Sequence, residues 1–344
     1  MTQVISLAGA RHKPAGAPYA DALNDLASQL ADDMAAVNAL IVDRMGSQVP
    51  LIPQLAGHIV AAGGKRLRPL LTLACAKLYH YTGPRARKLA ACVEFIHTAT
   101  LLHDDVVDES QLRRGGPSAN ALFGNTASVL VGDFLFSRAF QLMVEDGSLE
   151  VLRILSNASA VIAEGEVLQL STTQNIAATD NDYLNVIRAK TAELFAAACR
   201  IGAVITDRPE HEQQTLYDFG LNLGMAFQMI DDVLDYSAEQ ARLGKTVGDD
   251  FAEGKMTLPI IVALQRGTEP ERDFWRRTLE KRDQHAGDLA AAQAILQRHN
   301  ALETVAKRAQ HYATTARHLL DIFPHSPLKQ TLQNIAEFTV QRGA

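Results

Sequence analysis

Apolar residues recur every three or four positions over most of the chain. In 21–47 they fall at Leu23, Leu26, Leu30, Met34, Val37 and Ile41, the spacing of one buried helix face. The same spacing predicts helices over 69–80, 87–108, 119–145, 149–173, 181–205, 211–238, 256–266 and 285–343. Breakers separate them at Gly63-Gly64, Gly83-Pro84, Gly115-Gly116-Pro117, Arg208-Pro209, Gly244 and Phe323-Pro324. No segment alternates strictly with a period of two, and no glycine-rich loop links a strand to a helix. That argues against a nucleotide-binding α/β architecture. Segments 90–103 and 192–205 are apolar nearly all round, which predicts buried helices. One all-α domain follows, 21–344, built around a central layer of helices. Pro14, Gly16 and Pro18 loosen an N-terminal arm, 1–20, before it.

Composition narrows the function. The 344 residues are 47% hydrophobic, enough for a large core, and carry a formal net charge of −6. That balance argues against general affinity for nucleic acid. Cys75, Cys92 and Cys199 all sit among apolar neighbours. They read as small core side chains in a reducing compartment, with no spacing suited to zinc. No apolar run approaches the ~20 residues of a membrane span, and the first twenty residues lack a signal peptide's apolar block. A cytoplasmic protein is expected.

Two helical segments carry carboxylates where apolar residues would be expected. The first is HTATLLHDDVVDES, with Asp104, Asp105 and Asp108; the second is GMAFQMIDDVLDY, with Asp231, Asp232 and Asp235. In each, the first and last aspartates are i and i+4, with Cβ atoms ~5–6 Å apart on one face. That separation suits carboxylates sharing hard cations such as Mg²⁺. Like charges 4 Å apart repel by about 4 kcal/mol at an effective dielectric of 20, so six converging carboxylates need cations. Basic, glycine-rich loops follow both clusters: Arg113-Arg114-Gly115-Gly116 after the first, and GKTVGDDFAEGKMTLP, with Lys245 and Lys255, after the second. GGKRLRP at 63–69 sets Lys65, Arg66 and Arg68 behind two glycines at a helix start, an anion cradle. A polyanion bridged by Mg²⁺ on one side and gripped by Lys and Arg on the other fits a diphosphate.

GGKRLRP, LLHDDVVDES with RRGG two residues on, FQMIDDVLD and GKTVGDDFAEGKMTLP stand in that order. In these motifs the chain resembles the trans-isoprenyl diphosphate synthases from about residue 30 to the end. EFIHTATLLHDDVVDES and ASVLVGDFLFSRAF resemble the long-chain type, the octaprenyl and decaprenyl diphosphate synthases. The resemblance implies the isoprenoid synthase fold, a single large helical bundle around a central apolar cavity. It implies a homodimer that adds isopentenyl diphosphate to an allylic diphosphate such as farnesyl or geranylgeranyl diphosphate. It further implies about three Mg²⁺ per site and an all-trans product of about eight to ten isoprene units for the ubiquinone side chain.

Carried over by position, Asp104, Asp108 and Asp231 would bind Mg²⁺, with Asp105, Asp232 and Asp235 acting through water or as supports. Arg113, Lys190 and Lys245 would hold the allylic diphosphate; Thr191, Gln228 and Lys255 are further substrate-binding candidates. Gly64, Lys65, Arg68, His97 and Arg114 would hold isopentenyl diphosphate. His103 is read as structural. Small Ala99 and Thr100, with Ile96 and Val93 deeper, would leave room for a growing chain down the helix that carries Asp104. Val93 lies only ~17 Å below Asp104, so a long product must bend or pass between helices. Phe134, Phe136 and Phe140 are the candidate stop. A terpene cyclase would lack the cradle for a second diphosphate, and a non-catalytic partner subunit would have lost aspartates or lysines; neither is the case here.

Overall fold

The computed structural model describes residues 18–61, 64–113, 116–237 and 247–342. Among them the only strands are Leu112–Arg113 and Gly116–Pro117, one short antiparallel pair. The expected helix over 21–47 divides at Leu30 into α1 (Pro18–Gln29) and α2 (Ala31–Arg44). Then come α3 (Leu51–Ala61), which the apolar spacing missed, α4 (Leu67–Leu78) and α5 (Arg85–Val107). Gly124, at φ +83, splits the segment expected over 119–145 into α6 (Ala119–Phe123) and α7 (Asn125–Asp146). Only glycine takes that backbone angle without strain. α8 (Leu149–Thr172) opens on Ser148, whose hydroxyl accepts from the Val151 N–H, an N-cap.

α9 (Asp180–Ile187) starts with a capping box between Thr179 and Asp182, then runs through a π-helical turn (Arg188–Ala192) into α10 (Glu193–Val204). α11 (Glu210–Asp235) carries the second aspartate cluster. α12 (Asp249–Glu253), α13 (Leu258–Arg266) and α14 (Glu269–Trp275) follow, the last entering a second π turn. The segment expected over 285–343 is three helices, because Asn300 turns left-handed at φ 50 and Phe323-Pro324 breaks it again: α15 (Asp288–Arg298), α16 (Ala301–Leu319) and α17 (Pro327–Phe338).

Helix α5 is central, packed against α2, α4, α7 and α10; α10 in turn packs on α4, α8 and α11. One apolar cluster fills the space among α4, α5, α7, α8 and α10, and a second surrounds α11, α13 and α16 with Trp275 inside. All three cysteines are buried and free. By length and composition α7 alone among the described helices is apolar enough to cross a membrane, which by itself makes no clear span. One of its faces packs on α5, and the other exposes Leu130 and Val144.

The arrangement sets both aspartate clusters at helix C-termini, the last turns of α5 and α11. A helix end of that kind is the negative pole of its dipole. Carboxylates there are disfavoured unless positive charge comes to meet them.

Candidate active site

Positive charge does come, from elements far apart in sequence. Lys190 Nζ lies 3.1 Å from Asp104 Oδ2 and donates to Glu166 Oε2 at 2.7 Å. Lys255 Nζ donates to Asp108 Oδ2 at 2.9 Å and lies 2.5 Å from Glu253. Arg113 Nε donates to Asp105 Oδ1 at 2.7 Å. The π turn carries Lys190 toward Asp104, and Gly165 of α8 lets it come close. A Cβ on Gly165 would stand 2.8 Å from Ala189 Cβ and 2.9 Å from the Lys190 nitrogen. Turns of this kind often mark functional sites because they re-aim a side chain.

The second cluster is held differently. Arg342 Nη2 donates to Asp231 Oδ1 at 2.7 Å and stacks on Phe227, 3.8 Å from the ring centre. Asp232 accepts from the Tyr183 hydroxyl at 2.6 Å and from Gln228 Nε2 at 2.8 Å. Gln228 Oε1 in turn accepts from the Thr191 hydroxyl at 3.0 Å. Asp235 accepts from the Asp250 backbone N–H at 3.1 Å.

The charges crowd. Burial, then the Asp104 carboxylate, raises Glu166 to about 7, against the pull of Lys190. Burial and Asp250 raise Asp235 to about 7, and burial outweighs Lys255 to raise Asp250 to about 6. Burial lifts Asp105 and, well above its ordinary range, Asp232. Burial alone would lower both lysines, yet the surrounding carboxylates push Lys190 and Lys255 up. Both ammonium groups are therefore charged at neutral pH. Among the described residues the site's carboxylates outnumber the cations that meet them.

The cradle is only partly as the sequence suggested. Arg68 Nη1 donates to His97 Nε2 at 3.1 Å, and its guanidinium sits 4.4 Å over the Phe195 ring. Lys65 lies 5.2 Å over the ring of Tyr19, and Gly64 is exposed beside it. Arg66 turns away instead: it takes a left-handed backbone, φ 47, and pairs with buried Glu94. It anchors the cradle to α5. Arg114 and Lys245 lie outside the described residues. Ile96 and Ala99 are fully buried, and Thr100 donates to the His97 carbonyl at 2.8 Å.

Comparison with known proteins decides the family. A polyprenyl synthetase family model matches residues 49–296. The chain belongs to the polyprenyl synthetase family. This polyprenyl synthetase is 46% identical to the octaprenyl diphosphate synthase of Escherichia coli (strain K12) over 93% of its own length and 98% of that protein's. It superposes on the crystal structure of a decaprenyl diphosphate synthase from Rhodobacter capsulatus with a TM-score of 0.90 at 54% identity, covering 94% and 99% of the two chains. A polyprenyl synthase from Caulobacter crescentus CB15, complexed with calcium and isoprenyl diphosphate, superposes with a TM-score of 0.90 at 50% identity, covering 94% and 98%. The chain is thus an all-α prenyltransferase enzyme of isoprenoid biosynthesis.

Among the described residues no three acidic, histidine or cysteine side chains form a ready-made metal cage. The donors still fit a hard cation. They are all oxygens, they are in excess over the local cations, and Mg²⁺ ordinarily keeps waters and substrate oxygens as its remaining ligands. The sequence reading of the synthetase missed Glu166, Tyr183, Asp250 and Glu253. Glu166 had one signal, an acidic residue within the apolar helix VIAEGEVLQL beside a glycine. Tyr183 had none, because nothing local marks a tyrosine whose partner lies 49 residues on.

Proposed function

We propose that this enzyme condenses isopentenyl diphosphate, unit by unit, onto an allylic diphosphate to give an all-trans polyprenyl diphosphate of about eight to ten isoprene units, serving the ubiquinone side chain. The observation that carries it is the pair of aspartate-ended helices, α5 and α11, with Lys190 and Lys255 reaching the carboxylates of α5 from other elements. Mg²⁺, about three ions held by Asp104, Asp108 and Asp231 with Asp105 and Asp235 in support, would supply the charge that stabilises the departing pyrophosphate.

Lys190 and Lys255 remain charged, so each can exchange a carboxylate partner for a phosphate oxygen when the allylic substrate enters. Lys245 and Arg113 complete that grip, with Thr191 and Gln228 beside it. Lys65, Arg68, His97 and Arg114 orient isopentenyl diphosphate, so its double bond faces the allylic carbon at close range. Arg68 donates to His97 Nε2, so the neutral ring carries its proton on Nδ1. The apolar residues around α5 keep water from the short-lived allylic cation. The last proton leaves to the departing pyrophosphate.

Product length follows from the seam between α5 and α7. Cys92 donates to the Ala139 carbonyl at 3.3 Å, and His103 Nε2 lies 3.2 Å from the Val129 carbonyl. Cys92, Ile96, Ala99 and His103 are one face at helical spacing, so Ala99 belongs to that seam. A growing chain passes Ala99 and Thr100 and ends near Phe134, Phe136 and Phe140; Phe136 and Phe140 already pack edge to face at 5.3 Å. Ala99→Phe is expected to cut the product to about fifteen to twenty carbons with the first condensations intact. An active variant with unchanged product removes Ala99 from the path.

The enzyme acts as a homodimer in the cytoplasm. On α7, Leu130 and Val144 are 61% and 68% exposed, an outer face suited to a second copy; sedimentation tests it. The function itself is tested by incubation with farnesyl diphosphate, labelled isopentenyl diphosphate and Mg²⁺, followed by chromatography. A linear product of forty to fifty carbons supports the reading; a cyclic hydrocarbon, or no incorporation by the folded protein, overturns it.

A further inference from the structure

We propose that Tyr183 is a positioning residue for the second metal-binding wall, acting through Asp232 to fix the register of α11 against α9 and its π turn. The starting observation is a continuous chain of hydrogen bonds. Tyr183 donates to one oxygen of Asp232, Gln228 donates to the other, and Gln228 accepts from Thr191. Tyr183 is 5% exposed and Asp232 is 3% exposed. Two points of one helix, residues 183 and 191, thus grip two successive turns of another, residues 232 and 228.

An unbroken α-helix would set these two side chains well out of line. Eight residues turn it by about 800°, leaving the ends about 80° apart in azimuth. The π turn at Arg188–Ala192 takes up one additional residue. The eight then count as about seven, and the ends return to within about 20° of one face. The same turn that aims Lys190 at Asp104 therefore brings Tyr183 and Thr191 into line.

The facing stripe on α11 is Gly220, Gly224, Gln228 and Asp232, each four residues apart. A Cβ on Gly224 would stand 2.6 Å from the Ala192 Cα, and one on Gly220 would stand 2.4 Å from the Phe195 carbonyl oxygen. Backbones in such close contact leave little room for side chains to set their register. The polar end of the stripe sets it, at the turn that bears Asp231 and Asp235. Asp232 is then a buried strut, and its neighbours in the motif are the ligands. This rests on the reading that Asp231 and Asp235 help to hold metal.

The test uses the full chain, with Mn²⁺ as probe in the presence of inorganic pyrophosphate and bound metal read by electron paramagnetic resonance. Tyr183→Phe keeps the ring and removes only the hydroxyl. Loss of a hydrogen bond that orients ligands weakens metal binding about tenfold or more. The expected result is that loss in Mn²⁺ affinity, a matching rise in the Mg²⁺ needed for half-maximal rate, and an unchanged KM for isopentenyl diphosphate. Mn²⁺ affinity equal to the parent's in a folded variant overturns the role of Tyr183. Asp232→Asn supplies a second arm, since the amide oxygen still accepts from Tyr183, and a flipped Gln228 accepts from the new amide nitrogen while donating to the Thr191 hydroxyl. It should weaken Mn²⁺ binding far less than Asp231→Asn does; equal losses make Asp232 a ligand and overturn the proposal. A parent protein that binds no Mn²⁺ with pyrophosphate overturns the metal reading as well, which separates the two failures.

Discussion

At the end of α5 the outer aspartates meet lysines from distant elements, Asp104 with Lys190 and Asp108 with Lys255. At the end of α11 they meet an arginine and a backbone N–H, Asp231 with Arg342 and Asp235 with Asp250. The middle aspartates differ as well. Asp105 is held by the charged Arg113, and Asp232 by the neutral Tyr183 and Gln228. In both helices, however, the middle residue is nearly sealed, at 2% and 3% exposure. One five-residue motif therefore contains two kinds of carboxylate. On α5 the i and i+4 pair shares the face toward the incoming cations; on α11 Asp231 meets Arg342, while Asp235 is itself buried at 6% exposure and meets only a backbone N–H. The residue between lies about 100° round the helix and points into the protein. The partners it finds there decide how rigidly that helix end is held.

The sharpest way to break this comparison is to remove an outer carboxylate from each side. Asp104→Ala and Asp231→Ala are each expected to lower turnover by about 10³-fold or more, because a charge on the leaving group goes unmatched. A folded Asp231→Ala enzyme with near-parental turnover would show that only the α5 wall works. The next largest effect separates the two diphosphates. Lys190→Ala should impair use of the allylic substrate, and Arg68→Ala should raise the KM for isopentenyl diphosphate. Each loses a charge-assisted contact of about 1.5–3 kcal/mol, roughly 10- to 150-fold. Indistinguishable steady-state profiles would merge the two pockets into one.

Smaller effects probe stability. Gly224→Ala places a methyl against Ala192, where the gap is 2.6 Å. Overpacking of this kind costs about 1–3 kcal/mol, read as a fall in the denaturant midpoint at constant slope. On the α5 side the comparable seam glycine is Gly132 of α7, where an added Cβ would meet the His103 ring, a side chain rather than backbone. The smallest effect is on pH. Glu166 and Asp235 both have folded pKa values raised to about 7. Below that value the folded protein keeps protons that the unfolded chain has already lost. Stability of the metal-free protein should therefore fall as pH rises from the ordinary carboxylate range to about 7. Mg²⁺ with pyrophosphate should flatten the slope by supplying the missing positive charge. A melting temperature that rises over this interval without metal contradicts the crowding.

Much of the site was legible because its signals are local. An i, i+4 pair of aspartates inside an apolar helix needs no fold to be noticed, and neither does a basic loop after it. The helices of the core were legible for the same reason. Misread boundaries fell where backbone conformation, not side-chain periodicity, makes the break. Leu30 interrupts a perfect apolar spacing between α1 and α2, and Asn300 adopts a left-handed angle that asparagine tolerates better than most residues. Arg66 stands beside Lys65 and Arg68 in the basic stretch, but its left-handed backbone turns it toward Glu94.

By itself the sequence determined the all-α fold, the two aspartate clusters, their conjunction with lysines and arginines, and the class of reaction they serve. Each depends on spacing within a few residues. Only the tertiary structure decided which carboxylate meets which cation, which aspartate of each motif is a strut, and that one π turn aims Lys190 at Asp104 while aligning Tyr183 and Thr191 on α11. Those pairings join residues tens of positions apart, 86 in the case of Lys190 and Asp104. They are fixed by the phase and packing of whole helices, and no short stretch of chain encodes that alone.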